Sequence, residues 1–170
     1  MDLKKFIRDV PDFPKPGILF KDITPLLGNP QAFRFSIEQL ARQFRGQSID
    51  AIAAAEARGF LFAAPLALEL DKPLVPLRKP GKLPYTTLAF NYDLEYGQAE
   101  LQMHVDAIQP GAKVLLVDDV LATGGTMRAA CRLVGRAGGQ VAGCAFLMEL
   151  SFLAGRESLA PVKCFSVLNY

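Results

Sequence analysis

A single histidine, His104, stands in the whole 170-residue chain. That count all but excludes a His-based zinc site or a Ser–His–Asp triad. Cysteine is scarce too: Cys131, Cys144 and Cys164 form no CxxC pair, and each sits among apolar residues, where the thiol acts as a small buried hydrophobe. An odd count without framework spacing points to a reducing compartment. No run of five or six like charges occurs and the formal net charge is only +2, so the electrostatic footprint of a nucleic-acid binder is missing. The longest uncharged apolar run, Gly59 to Leu68, is about half of the roughly 20 residues a membrane span requires. The opening MDLKKFIRDVPDF lacks the apolar centre of a signal peptide. These absences lead to the expectation of a cytoplasmic protein that binds neither membrane nor nucleic acid, with any anion binding local.

What is present suits one globular domain over 1–170, with 51% hydrophobic and 21% charged residues. A chain this long buries roughly 70% of its unfolded surface and needs no disulfide or metal staple. Residues 2–9 suit a short helix, whereas Pro11, Pro14, Pro16 and Pro25 make 10–25 irregular. The stretch 30–45 opens on a first-turn proline. It then sets Phe33, Ile37, Leu40, Ala41 and Phe44 on one helical face. Strands are expected at 49–54, 73–77, 114–117, 141–150 and 164–168, with helices at 59–70 and 126–137. From Arg78 to Tyr96 helical periodicity is lost, which reads as a long loop or a β-ribbon, continuing into a strand at 99–103. Alternating strands and helices imply an α/β fold: an open, mostly parallel sheet flanked by helices.

Such a sheet binds ligands at the carboxyl ends of its strands. The aliphatic strand 114–117 runs into Asp118 and Asp119, followed by the turn Ala122, Thr123, Gly124, Gly125, Thr126 and a helix. Successive N–H groups of a Gly-rich turn form an anion nest, and the helix N-terminus adds the positive end of its dipole. Thr123 and Thr126 add hydroxyl donors, while the glycines admit a phosphate close to the backbone. The carboxylates then lie one sugar's length away, where they can accept from vicinal ribose hydroxyls. Taken singly, an acidic pair is most often a helix cap and a Gly–Gly a tight connection; their spacing after a buried strand sharpens the reading. Neither GxGxxG nor GxxxxGK[ST] offers an alternative phosphate site.

VLLVDDVLATGGT (114–126) resembles the phosphoribosyl-pyrophosphate motif of the type I phosphoribosyltransferases. FPKPGILFKDITP (13–25), EARGFLF (56–62), RKPGKLP (78–84) and DLEYG (93–97) narrow the likeness to the adenine phosphoribosyltransferases, over nearly the whole chain. The resemblance implies the type I fold, with an N-terminal hood at 1–29 and a mobile catalytic loop at 78–97. It implies that Asp118 and Asp119 hold the ribose hydroxyls and that Ala122, Thr123, Gly124, Gly125 and Thr126 hold the 5-phosphate. Arg58 and Lys79 would bind pyrophosphate, with Arg78 and Lys82 beside them. Phe20 would stack on the base, with main-chain groups of Leu19 and Lys21 reading its edge. For Arg58 the alternative is a structural pair with Glu56, and for Phe20 a place in the core.

The implied reaction is transfer of the 5-phosphoribosyl group from phosphoribosyl pyrophosphate to adenine, giving AMP and pyrophosphate. Charge building on the leaving group would be met by Mg²⁺, held mainly by the pyrophosphate itself, and by Arg58 and Lys79. Glu95 is the carboxylate the motif places for proton transfer, with Tyr96 closing over the pyrophosphate; otherwise Glu95 only orders the loop. The segment from Lys82 to Asp93 would close to exclude water. The resemblance also implies a homodimer. A sugar-phosphate-sensing regulator of the same fold would carry an added DNA-binding segment or a basic face, and neither is visible. A xanthine-type transferase would differ in the base-facing segment. His104 is expected to be structural or solvent-facing.

Overall fold

The computed structural model describes residues 1–93 and 98–170, so Glu95 and Tyr96 lie outside the described residues. The chain forms two compact units, Met1–Gln39 and Leu40–Tyr170.

In the first unit the expected N-terminal helix is only a 3-10 turn, Leu3–Phe6, capped by Asp2, whose Oδ1 accepts from Lys4 N at 3.1 Å. The stretch expected to be irregular contains a hairpin: β1 (Arg8–Pro11) pairs antiparallel with β2 (Leu19–Asp22), Val10 opposite Phe20. The prolines do not prevent it because Pro11 occupies the last ladder position and Pro14 and Pro16 fall in the connection. That connection is closed by Gly17 N donating to Asp12 Oδ1 at 2.7 Å. Pro25 sits in the first turn of α1 (Thr24–Leu27), where a missing N–H costs nothing. Helix α2 (Pro30–Phe44) follows and belongs to the second unit from Leu40 onward; it buries Ile37, Leu40, Ala41 and Phe44 as its periodicity required, and Phe33 is half-buried.

The second unit is built on a five-stranded, all-parallel sheet. Its strands are β3 (Ala51–Ala55), β4 (Leu74–Leu77), β7 (Lys113–Leu121), β8 (Gln140–Glu149) and β9 (Cys164–Asn169), in the order β4-β3-β7-β8-β9. Helix α3 (Arg58–Glu69) follows β3, and α4 (Gly125–Arg136) follows β7. The α4 helix ends where Gly138 takes φ +79, a C-terminal position that glycine fills without strain. Strand β7 is longer than its aliphatic run and carries both aspartates within the ladder. Its pairing with β3 ends at Ala54 opposite Val117, whereas β8 follows it on to Leu121 opposite Glu149. Beyond Val117 the strand is therefore paired on one side only, and acidic residues can be carried there.

The Tyr- and Thr-rich segment is a ribbon: β5 (Thr87–Asp93) pairs antiparallel with β6 (Gln98–His104) over seven positions. Residues 87–93 are thus strand rather than open loop. Arg78 bridges the ribbon to the end of β4 through reciprocal backbone hydrogen bonds with Gln102, 2.9 and 2.7 Å. His104 accepts from Tyr85 N at 3.3 Å, a structural contact. All three cysteines are free, with Cys144 fully buried. Among the described residues no helix is long and apolar enough to cross a membrane.

After β8 the chain turns through a 3-10 segment, Ser151–Leu153, into the single turn α5 (Gly155–Ser158). An ion pair anchors it. Arg156 Nε donates to Glu149 Oε1 at 3.1 Å, Arg156 Nη2 pairs with Oε2 of the same carboxylate, and Ser166 Oγ donates to that oxygen at 2.9 Å. The Arg156 hydrogen bond, reinforced by Ser166, outweighs burial and holds the Glu149 carboxyl below its ordinary value of 4.5. Glu149→Gln is expected to lower the melting temperature by roughly 5 °C at neutral pH, since breaking one side of a buried pair costs about 2 kcal/mol when the partner is half exposed. Because the folded value is depressed, this contribution is present above pH 4.5 and is lost as pH falls through the folded value. Thermal melts of the two proteins should therefore converge in acid.

Candidate active site

At the carboxyl ends of β3 and β7 lies a cleft of about 690 Å³, lined by Glu56–Arg58 and by Asp118–Arg128. Two strand–turn–helix connections build it. On one side β3 gives way to Glu56 and Ala57, and Arg58 opens α3. On the other, β7 delivers Asp118 and Asp119 and then turns through Ala122, Thr123 and Gly124 into α4. Gly124 has φ +85, a conformation open to glycine at no steric cost. The first-turn N–H groups of α4 have no intrahelical acceptor, so they provide donors for an anion in front of the turn.

The two aspartates differ. Asp119 is buried and forms an ion pair with Arg58, Nε to Oδ2 2.9 Å. Asp118 keeps some surface toward the cleft although protein surrounds it on most sides, and its Oδ1 accepts from Asp119 N at 2.9 Å. Burial, then the neighbouring Asp119 charge, push the Asp118 carboxyl well above its ordinary range. Burial also raises Asp119, against the pull of Arg58. Gly59 makes the close approach of α3 possible, because a Cβ there would stand 2.9 Å from Asp118 Oδ1 and 3.2 Å from Val117 O. A cleft lined by two desolvated carboxylates and by the first turn of a helix suits a ligand with hydroxyls beside a phosphate.

Of the residues singled out from sequence, Arg58, Asp118, Asp119, Ala122, Thr123, Gly124, Gly125 and Thr126 meet in this cleft. Arg58 is not the partner of Glu56, which was the alternative; it reaches Asp119. Glu56 instead ties the end of β3 to the segment after β4. Its Oε1 accepts from Lys79 N at 2.6 Å and lies 3.3 Å from the buried Arg78 Nε, an ion pair without an aligned hydrogen bond. Burial raises the Glu56 carboxyl, but these contacts to Lys79 and Arg78 outweigh it and leave the group below 4.5. Lys79 lines a different cleft with Asn91, Tyr92 and Glu100, and Lys82 lines neither. In the first unit Leu19, Phe20 and Lys21 lie on β2, with Phe20 half-buried edge-on to Phe13, ring centroids 5.1 Å apart.

Two charged contributors to the cleft escaped the reading of the sequence. Glu56 was considered only as a possible partner of Arg58, and Arg128 was not considered at all. Arg128 did leave a signal: a cation in the first turn of a helix opposes the macrodipole, a placement that makes sense where an anion is expected.

The phosphoribosyl transferase domain family matches residues 26–168. The chain is 56% identical to the adenine phosphoribosyltransferase of Kosmotoga olearia, over 100% of each protein. Its structure superposes on the crystal structure of the adenine phosphoribosyltransferase of Thermoanaerobacter pseudethanolicus with TM-score 0.97 and 52% identity, covering 99% and 98% of the two chains. The Saccharomyces cerevisiae enzyme, crystallised with adenine and an imino-altritol bisphosphate, matches with TM-score 0.92 and 40% identity over 98% and 97%. A carboxylate pair and a Gly-rich helix start at the strand ends, and full-length likeness at this level, together mean that the chain belongs to the adenine phosphoribosyltransferases and has the type I phosphoribosyltransferase fold.

Proposed function

We propose that the protein transfers the 5-phosphoribosyl group of phosphoribosyl pyrophosphate to N9 of adenine, releasing pyrophosphate and forming AMP. The observation that carries this reading is the cleft that Asp118 and Asp119 share with the turn at 122–126. In the reaction the bond from C1′ of the ribose to pyrophosphate breaks, the N9–C1′ bond forms, and N9 gives up its proton. The nest from Ala122 to Thr126 holds the 5-phosphate. Asp118 and Asp119 accept from the ribose hydroxyls, which favours their ionised forms over the neutral ones that burial promotes.

Arg58 supplies positive charge where it builds on the leaving group, already oriented by Asp119. Lys79 has its backbone held by Glu56 and joins Arg58 on the pyrophosphate, with Arg78 and Lys82 behind it. Phe20 stacks on adenine, and main-chain groups of Leu19 and Lys21 read its edge. Glu95 takes the N9 proton and Tyr96 covers the pyrophosphate.

Among the described residues no group of three or more metal-ligating side chains comes together. A Mg²⁺ ion would be held mainly by oxygens of the substrate pyrophosphate, as is common for an ion that keeps several of its waters. When bound, Mg²⁺ neutralises charge on the departing pyrophosphate. The same reading makes the protein a cytoplasmic homodimer. Leu61 and Leu68, exposed and seven residues apart on one face of α3, support an interface there.

Turnover with phosphoribosyl pyrophosphate and Mg²⁺, assayed separately with adenine, hypoxanthine, guanine and xanthine, tests the proposal. AMP is expected with adenine and at most trace product with the others; no AMP from adenine would end it.

A further inference from the structure

We infer that α5 is a positioning device for the phosphate turn, with Ser158 and Gly155 shaping the nest from behind. The inference rests on the proposal that residues 122–126 hold the 5-phosphate. Ser158 Oγ lies 2.9 Å from Thr123 O and 2.7 Å from Gly155 O, so its one proton is shared as a three-centre bond between a carbonyl of the turn and one of its own helix. A trans peptide sends its C=O and the following N–H to opposite sides. A Thr123 carbonyl held on Ser158 therefore aims the Gly124 N–H away from α5, the side on which an anion would be received.

The two segments meet backbone to backbone. A Cβ on Gly155 would stand 2.0 Å from Ala122 O, and a Cβ on Gly124 would stand 2.2 Å from Ser158 Oγ and 2.9 Å from Gly155 O. There is no slack for the turn to relax into. Behind it α5 is held by Arg156, which reaches Glu149 and donates from Nη1 to Cys164 O at 2.6 Å. Glu149 is the ladder partner of Leu121, the last residue of β7 before the turn. The strand end, the turn and α5 thus close into one ring of contacts around Ala122–Gly124. Ser158 does not line the cleft, so its effect on a ligand passes through the turn.

The test compares Ser158→Ala, Ser158→Thr and Thr126→Ala by steady-state kinetics, thermal melts and calorimetric titration with ribose 5-phosphate. Loss of one neutral hydrogen bond behind the nest should raise both KM for phosphoribosyl pyrophosphate and the ribose 5-phosphate Kd roughly fivefold in Ser158→Ala. KM for adenine should stay at the wild-type value, the melting temperature should fall by no more than about 2–4 °C, and Ser158→Thr, which keeps the hydroxyl, should behave as wild type. A purely structural role would not produce that split or that rescue. If Thr126→Ala weakens ribose 5-phosphate but Ser158→Ala does not, the positioning role is wrong and the phosphate turn stands. If Thr126→Ala also leaves ribose 5-phosphate binding unchanged, the assignment of the turn fails, and the inference with it. Equal losses for both substrates, or a Ser158→Thr protein as weak as Ser158→Ala, would overturn the inference as well.

Discussion

Asp118→Asn is expected to raise the melting temperature by a few degrees while lowering kcat/KM on the order of a hundredfold. The gain follows from geometry. Asp118 and the buried Asp119 are neighbours on one strand, and Arg58 pairs with Asp119. Burial and the like charge therefore oppose ionisation of Asp118. An amide keeps an oxygen for the Asp119 N–H, now met at 2.9 Å, and removes the charge. The loss follows from the ligand: a carboxylate accepting a hydroxyl contributes about 1.5–3 kcal/mol, up to a hundredfold or so in affinity, and a neutral amide much less.

The sign with pH is fixed as well. A carboxyl raised in the fold favours the protonated, folded form at low pH, and that advantage is lost as pH rises through the folded value. The melting-temperature gap between Asp118→Asn and wild type should therefore be small near the ordinary carboxylate value of about 4 and widen as pH rises. Ribose 5-phosphate should bind the wild type more tightly over the same rise, because binding needs the ionised form. A variant that lost stability along with activity would show that the charge at position 118 supports the fold, contrary to this account.

Gly124→Ala should be strongly damaging for the addition of a single methyl. At φ +85 an alanine is strained, and its Cβ would enter the space of Ser158 Oγ and Gly155 O. Strain of about 1 kcal/mol and overpacking of about 1–3 kcal/mol together predict a melting temperature lower by roughly 10 °C. The turn must also open, so affinity for phosphoribosyl pyrophosphate should fall more than about tenfold, the scale of several misplaced N–H donors. Gly125→Ala is the control. A Cβ there meets nothing within 4 Å, and its φ is not positive, so stability should be held. Melts of the two variants side by side decide the matter: equal destabilisation would mean that packing against α5 is not what restricts the turn.

Legibility varied along the chain for identifiable reasons. Helix α4 was found to within one residue because its inward positions repeat at helical spacing and Gly138 ends it. The hairpin of β1 and β2 was not, since prolines suppress a strand reading until one knows that they fall in the connection and at the ladder's end. Strand β7 was expected to stop at Val117 because acidic residues contradict an aliphatic strand. It continues because β8 still pairs with it there while β3 no longer does. The reading of 78–96 as loop or ribbon resolved to irregular chain up to Thr86 and a ribbon strand over 87–93, and Glu95 and Tyr96 are not covered.

Local order along the chain was enough to determine the acidic strand end, the Gly-rich turn and the helix after it, since all three lie within 114–126 and depend on short-range backbone chemistry. It determined the donor class and, through the likeness of the other segments, the family. Tertiary structure alone decided which charges meet. Arg58 is near Glu56 in sequence but pairs with Asp119, because β3 and β7 are neighbours in the sheet and end side by side. Ser158, 35 residues from Thr123, comes to rest on its carbonyl for the same kind of reason. Spacing along a chain fixes what a turn can bind, whereas the partners that orient it are set by which strand ends and helices the sheet brings together.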